Sequence, residues 1–526
     1  MRTRAAMSLL LASSSILAFV GCGDAGQGDE STDTSTYSVR CDKNPSHTQC
    51  DKPPTVAIQS PSNGATVTGT IAVQGSSSDD KAVTKVEVRI DGGAWQLASG
   101  TTSWSFSLDT TAETDGSHTI SARATDSAAK TKEASVVVTV ANGVDPPTDG
   151  YGPQASITCP AGAVNISPGQ DIASIVSSHP AGTSFCVLAG THQPSSPINM
   201  KAGDSLIGQF GAIIDGTNVV QGYDVSSTSI IRGWNCFSSA RCDNVTIRNL
   251  VIRNLAAHKC IGVYEDGSTA GTGWKVDHNE VYGCKDGGGS WSNGSTTYNY
   301  FHDNDCGTGG YRISYALVDH NHIAYNRNSG CKWAAGDHLT ITNNDVHDNQ
   351  CTACDTGMNV GIWLDTVGGG NLIQGNVISG HDVGIMYEAT DSGRVTQNVV
   401  SNNSQMGIYN SNSNFVEIDN NEVAQTTGTA LNLFEDVATG YTIHDNWFHD
   451  NTIDLSGHGN SAAVGLSCSN TSTCAASYGL SQNNRFDYNS YTTGGHTTYG
   501  FWYWGGGSLS FTQWQAVGND VHGIIQ

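Results

Sequence analysis

Two kinds of apolar pattern divide the chain. Between residues 53 and 142, apolar and polar residues alternate in short runs: Thr55–Ile58, Thr66–Val73, Val83–Ile90, Trp104–Leu108, His118–Ala124 and Ser135–Val140. A period of two is the mark of a strand with one face in a core. Asp91-Gly92-Gly93 falls between two of these runs and predicts a hairpin turn. So many short strands in so little chain predict a β-sandwich.

From residue 153 to 526 the apolar positions recur with a longer period. The segments Val276-Asp-His-Asn279-Glu-Val, Val318-Asp-His-Asn321-His-Ile, Ile341-Thr-Asn-Asn344-Asp-Val, Ile373-Gln-Gly-Asn376-Val-Ile, Val395-Thr-Gln-Asn398-Val-Val, Ile418-Asp-Asn-Asn421-Glu-Val and Ile443-His-Asp-Asn446-Trp-Phe repeat one theme. Asn249 and Asn299 fit earlier in this series and Asn484 later. A spacing near 22 residues leaves no room for a helix in each unit. It predicts an all-β solenoid, a right-handed parallel β-helix, in which each repeat is one coil. Stacked coils bury a column of Val and Ile, and the recurrent Asn bonds up and down the stack at a turn. Asp171–Ser178 reads as a short helix plugging the first coil, with Ile172, Ile175 and Val176 inward. Phe501-Trp-Tyr-Trp504 and Phe511-Thr-Gln-Trp514 supply bulky cover for the last.

Composition narrows the partners. The 526 residues carry 24 Lys and Arg against 48 Asp and Glu, a net charge of −24. Such a chain lacks the basic footprint that nucleic acid requires, so none is expected as a partner. The 62 glycines suit tight turns. Arg2 and Arg4 precede an apolar stretch, Met7 to Val20, that ends in Gly21-Cys22, the pattern of an export signal. Residues 23–52 read as a flexible tether and 143–152 as a linker. Without Cys22 the cysteines number 14, and they fall in local couples: 41/50, 159/186, 236/242, 260/284, 306/331, 351/354 and 468/474. Such couples suit disulfides in an oxidising compartment, with Cys284 and Cys306 a rival pairing.

Three resemblances follow from these residues. Gly21-Cys22 resembles the lipobox of bacterial lipoproteins, although Phe19 replaces the usual Leu. That resemblance implies lipidation of Cys22 and an exported protein anchored to the outer membrane or cell surface, touching the membrane through the lipid alone. The sandwich resembles bacterial Ig-like domains, which are spacers or weak binders. The repeat region resembles the secreted right-handed β-helix repeat proteins of the carbohydrate-active type; the expected partner of this chain is a polysaccharide and its expected state a monomer.

Candidate chemistry lies on one strand of each coil. Gly361-Ile-Trp363-Leu-Asp365 and Gly384-Ile-Met386-Tyr-Glu388 are typical units. Alternation predicts one outward column of Tyr264, Trp291, Arg312, Lys332, Trp363, Met386, Tyr409 and Asn432, and a second of Asp266, Asn293, Ser314, Ala334, Asp365, Glu388, Ser411 and Phe434. Lys332, Arg312, Asp365 and Glu388 are the candidate catalytic residues. Trp363, Trp291, Tyr264 and Tyr409 offer faces for sugar rings. Lys332-Trp333, His347-Asp-Asn349, Gly361-Ile-Trp-Leu-Asp365, Asn371 and Gly384-Ile-Met-Tyr-Glu388 also resemble a signature of the β-helix proteins just named, apart from the insertion 351–357 and Ala389.

The first reading of these residues is a polysaccharide lyase acting on uronate-containing glycans, with a glycoside hydrolase and a glycan-binding adhesin as its alternatives. A lyase would use Lys332 to remove a proton beside a uronate carboxylate, with Asp365 and Glu388 holding Ca2+, or Arg312 itself, to neutralise that carboxylate. A glycoside hydrolase would use Asp365 and Glu388 as its two carboxylates. A glycan-binding adhesin would need the aromatic column alone. Long intervals in the Asn series around 264–273, 350–359 and 458–476 predict loops that wall a groove. His278, His302, His320, His322, His347, His444, His449 and His458 are expected chiefly at surface turns, with a metal cluster as the lesser alternative. Cys351-Thr-Ala-Cys354 lacks the context of a redox site.

Overall fold

The computed structural model describes residues 51–67, 70–110, 116–140, 150–219, 229–233, 242–262, 271–349, 358–436, 443–459, 461–469, 481–496, 500–504 and 506–526. Cys22, Tyr264, Asp266 and the couples 41/50 and 351/354 lie outside them. The chain forms two units, Met1–Gly143 and Val144–Gln526.

In the first unit the alternating runs become two sheets. Thr55–Ser60, Thr70–Ser78 and Ser103–Asp109 form one, and Thr66–Val67, Thr131–Val140, Gly116–Asp126, Val83–Ile90 and Gln96–Leu97 the other. Their inward residues, among them Val73, Val86, Val88, Trp104, Ile120 and Val138, make a core of their own. Asp91 and Gly92 both take positive φ at the expected turn.

The second unit is a right-handed parallel β-helix. A middle coil shows its plan in three strands, Leu317–Asp319, His322–Ala324 and Ser329–Ala334. Each pairs in parallel with its equivalent on the next coil, at Thr340–Thr342, Asp345–His347 and Val360–Asp365. One inward column runs Val318, Ile341, Ile373, Val395, Ile418 and Phe448. A second runs Cys331, Ile362, Ile385, Ile408, Leu431 and Val464. All of these side chains are buried. Their burial is the main force holding the stack together, at roughly 1.5–3 kcal/mol for each large aliphatic side chain.

At the turn, the Asn ladder forms as expected. The backbone N–H of Asn299 donates to Asn321 Oδ1 at 3.0 Å, Asn321 to Asn344 at 2.9 Å, Asn344 to Asn376 at 2.9 Å and Asn376 to Asn398 at 3.0 Å. The residue before each Asn, such as His278, Tyr298, His320 and Asn343, takes positive φ, so the chain turns sharply there. The ladder departs from expectation at two points: Leu250, not Asn249, holds the rung before Asn279, and the series changes at Asn446. Asn421 passes to Asn451 and then Asn489, while Asn446 and Asn484 form a separate series. The motif around Ile443 resembles its neighbours in sequence but sits five residues out of phase, because Ile418 pairs with Phe448.

Both ends are closed as the sequence predicts. The helix Ile172–Ser178 is capped by Asp171, which accepts from Ser174 N–H at 3.3 Å, and it buries Ile172, Ala173 and Val176. Phe501, Trp502, Trp504 and Trp514 are buried at the far end. Disulfides join Cys159 to Cys186 and Cys260 to Cys284, which removes the rival pairing of Cys284 with Cys306. The 306/331 couple does not form, and both thiols are free. The register explains this: Cys306 pairs with Ser329, so Cys331 lies two residues farther along its strand, out of reach of a disulfide.

Candidate functional site

The outward ribbon runs along the strands Cys306–Tyr311, Ser329–Ala334, Val360–Asp365, Val383–Glu388, Met406–Ser411 and Thr429–Glu435. Its first column is Gly289, Gly309, Lys332, Trp363, Met386, Tyr409, Asn432 and Gly465. The second column is Tyr311, Ala334, Asp365, Glu388, Ser411 and Phe434. From Lys332 and Asp365 onward the columns stand as the sequence predicts. Before Lys332 they do not.

Lys332, Asp365 and Glu388 come together on three consecutive coils. Lys332 Nζ lies 3.0 Å from Asp365 Oδ2 and 3.4 Å from the centroid of the Trp363 ring. Trp363 Nε1–H donates to Glu388 Oε2 at 3.0 Å. One connected path therefore runs from Asp365 through Lys332 and the indole to Glu388. Burial, together with the charge of Asp365, raises the pKa of Glu388 above the ordinary glutamate range, against the pull of the indole N–H and Lys332. Behind these groups, Val360, Trp363, Val383, Met386 and Tyr409 form a buried apolar cluster outside the main core. Burial, and after it the charge of Glu388, pushes Tyr409 up to about 12.

Residues 54–122 match the bacterial Ig domain model, and residues 262–423 and 356–521 match the model of the right handed beta helix region. The chain carries a bacterial Ig domain and a right-handed β-helix region. No curated protein matches it. Among solved structures, the β-helix region and its surroundings resemble the A-module of a mannuronan C-5 epimerase from Azotobacter vinelandii, at 15% identity over 61% of this chain and 88% of that one, with a TM-score of 0.42. The catalytic unit of an alpha-1,3-glucanase from Streptomyces thermodiastaticus is similar at 10% identity over 79% and 87%, with a TM-score of 0.41. An endo-beta-1,4-mannanase from Thermotoga petrophila matches at 23% identity and a TM-score of 0.16, and the chain spans only 20% of its length. These scores are too low to carry chemistry across.

Two expected site residues of the β-helix region stand elsewhere than the sequence suggests. Gly309, not Arg312, is the register partner of Lys332. Arg312 follows in the turn at positive φ, its guanidinium 5.1 Å from the Tyr311 ring. Trp291 lies in the core, 2% exposed and stacked on Trp274 at 4.9 Å. Both errors arise where runs of glycine, 287–289 and 309–310, leave no side chain to mark the phase. Trp363 and Tyr409 do hold outward positions, but they are 7% and 8% exposed. They serve as the wall behind Glu388 rather than as open platforms, and one face of Trp363 already carries Lys332. Residue Tyr264 lies outside the described residues.

The sequence reading missed the bare floor beside Lys332. Gly289 and Gly309 hold the first column there, and Tyr311, 47% exposed, borders it. Its signal was the excess of glycine just before Lys332. A calcium ion at Asp365 and Glu388 would draw most of its six to eight oxygens from water or substrate, since Ala334 flanks the pair on one side and Ser411, with a single hydroxyl, on the other. Within the quoted signature, Asn371 and Asn349 are structural. Asn371 Oδ1 accepts from Leu339 N–H at 3.0 Å, and Asn349 Nδ2 donates to the Ile323 carbonyl at 3.0 Å.

The histidines also divide. His278 and His320 occupy turns and sandwich Tyr298 at 4.8 and 5.0 Å. His302, His322 and His347 instead lie on strands of the middle ribbon. Burial, with His347 and His302 close by, pulls His322 down to about 4.

Proposed function

We propose that the β-helix region is a polysaccharide-cleaving enzyme, a glycoside hydrolase in which Glu388 is the general acid and Asp365 the nucleophile. One observation carries this reading: two carboxylates stand in register on adjacent coils in unlike surroundings. Asp365 is ion-paired with Lys332, which aims its carboxylate. Glu388 is hemmed in by burial and by the charge of Asp365, which favours the protonated form that a general acid needs. The coil spacing of ~4.8 Å is nearer the ~5–5.5 Å carboxyl separation of retaining enzymes than the ~6.5–9.5 Å of inverting ones. Retention of anomeric configuration is therefore the expected outcome.

The floor at Gly289 and Gly309 gives an extended chain room to lie against Lys332, with Tyr311 available to one sugar face. Lys332 suits a substrate with acidic groups, since the chain is otherwise strongly anionic. The lyase reading asks more of the same lysine. Its contacts with Asp365 and Trp363 both use the positive charge, and a β-elimination base would have to give them up. The displacement of Arg312 also removes its expected partner from the column. In this reading the protein works outside the cytoplasm, held by a lipid on Cys22, and the two disulfides suit that compartment.

The test is incubation of the purified protein with a panel of uronate-containing and neutral polysaccharides. New reducing ends without the ultraviolet band of an unsaturated uronate support hydrolysis. Appearance of that band transfers the reaction to the lyase class. Retained binding with neither signal leaves an adhesin.

A further inference from the structure

The middle ribbon carries a second cluster of donor atoms, remote in role from the carboxylate pair. His322, Asp345 and His347 hold neighbouring positions on two adjacent strands, His322–Ala324 and Asp345–His347. His322 and Asp345 are register partners, and His347 lies two residues beyond Asp345 on the same side of its strand. One donor atom from each residue lies within 4.8 Å of the other two. The two imidazoles face each other through Nε2, only 2.7 Å apart.

The protons at this contact are hard to reconcile without a third body. His347 Nδ1 lies 3.0 Å from Asp348 Oδ2, a carboxylate that fixes the proton on Nδ1. That leaves His347 Nε2 as a lone pair aimed at His322. If His322 carries its proton on Nε2, its Nδ1 is a bare lone pair. If it carries the proton on Nδ1, two lone pairs collide at Nε2. His322 Nδ1 has no hydrogen-bond partner among the described residues, and the residue is 6% exposed, beneath the rings of Tyr151 and Tyr300. Either tautomer therefore leaves a buried ring nitrogen unsatisfied, which is costly. A cation between the two Nε2 atoms turns their opposed lone pairs into ligands, with the proton of each ring on Nδ1; the orphan at His322 Nδ1 is separate and stays.

We propose that His322, His347 and Asp345 bind one divalent transition-metal ion of the zinc class. Two imidazoles and one carboxylate are borderline donors and suit such an ion better than calcium or magnesium, which prefer oxygen alone. Tetrahedral ligands on Zn–N bonds of ~2.0–2.1 Å stand roughly 3.3 Å apart, so the rings need to part by about half an ångström. The Asp348–His347 contact is the outer-shell arrangement that orients a metal-bound imidazole. Asp345 and His347 are half-buried, which leaves an approach for the ion and a fourth position for water. A second group of similar composition, Glu417, Asp419 and His449, differs in one decisive respect. Arg394 already holds Asp419, with bonds of 2.7 and 2.6 Å, and so supplies the positive charge there.

The experiment is calorimetric titration of the chelator-treated full-length protein with Zn2+ alone, beside His322→Ala, His347→Gln, Asp348→Asn and His449→Ala variants whose circular dichroism matches the wild type. The expected result is one tight equivalent that is lost, or weakened at least 100-fold, in His322→Ala and His347→Gln. Asp348→Asn weakens it about 10–100-fold, and His449→Ala leaves it unchanged. Co2+ in place of Zn2+ gives a visible ligand-field band that disappears in His347→Gln, the milder change at a half-buried position. The proposal is overturned if the wild type takes up no tight Zn2+, if the His322 and His347 variants bind as the wild type does, or if His449→Ala abolishes the binding. None of these outcomes bears on the carboxylate pair.

Discussion

The Asn ladder and the outward ribbon ride on the same coils and obey opposite rules. At the ladder one residue type repeats, and each copy meets the same need, a buried backbone N–H on the preceding coil. On the ribbon the equivalent position is glycine twice, then lysine, tryptophan, methionine and tyrosine. A stack needs identical rungs to stay in register, but no rung needs a lysine facing solvent. Repetition therefore marks what the fold requires, and its failure marks where selection has been for something else.

The sharpest way to break this contrast is Glu388→Gln. It preserves shape and the bond from Trp363, and it should lower turnover by about 100- to 10,000-fold with a thermal midpoint no lower than that of the wild type. Unaltered turnover would remove the ribbon's chemical role. Asn376→Ala tests the other side. It strands the buried N–H of Asn344 and should cost about 1–3 kcal/mol of stability in chemical denaturation, whereas Lys332→Ala, at a partly exposed ion pair, should cost less than about 1 kcal/mol. Equal costs would erase the distinction.

Gly289→Tyr sharpens the comparison within the ribbon. A Cβ there meets only the Gly309 carbonyl at an ordinary 3.6 Å, and the position faces outward, so the fold should tolerate the change. The new ring would obstruct the floor and raise KM by roughly 10-fold, the scale of a 1–3 kcal/mol pocket change. Gly309→Ala should instead destabilise, because its Cβ would meet the Lys332 carbonyl at 2.0 Å. The smallest effect is in pH. Glu388 keeps its proton longer when folded than when unfolded. Between the ordinary glutamate range and its raised value the folded state binds more protons, so stability declines as pH rises through that window. Activity should fall over the same window as the acid is lost, and Glu388→Gln should abolish the stability slope.

Much of this was legible in the sequence, for physical reasons. Strand alternation and the coil period are imposed by geometry on every residue, so the sandwich, the solenoid, the plug at Ile172 and the aromatic closure at Trp502 and Trp514 all show. The grouping of Lys332, Asp365 and Glu388 was also readable, because Gly330, Gly361 and Gly384 mark equivalent points on successive coils. Phase was lost where glycine follows glycine, which misplaced Arg312 and Trp291. It was lost again at Asn446, where a motif of the right composition sits five residues early. Burial of Trp363 and Tyr409 was not readable, since an outward position on a strand says nothing of what packs beside it. His322 and His347 were expected at turns because both lie near an Asn of one ladder or another, yet they occupy strands.

The last rung differs from all the others. Asn489 donates both its backbone N–H and its side-chain amide to Asp520 Oδ1, while Tyr491 and Trp514 donate to Oδ2 at 2.6 and 2.7 Å. As a carboxylate, that side chain takes four hydrogen bonds and has none to hand on. An asparagine in its place would present an amide to whatever came next, including the first coil of another copy. The ladder of amides thus closes on a change of one functional group, beneath the same aromatic cover that Trp514 helps to form.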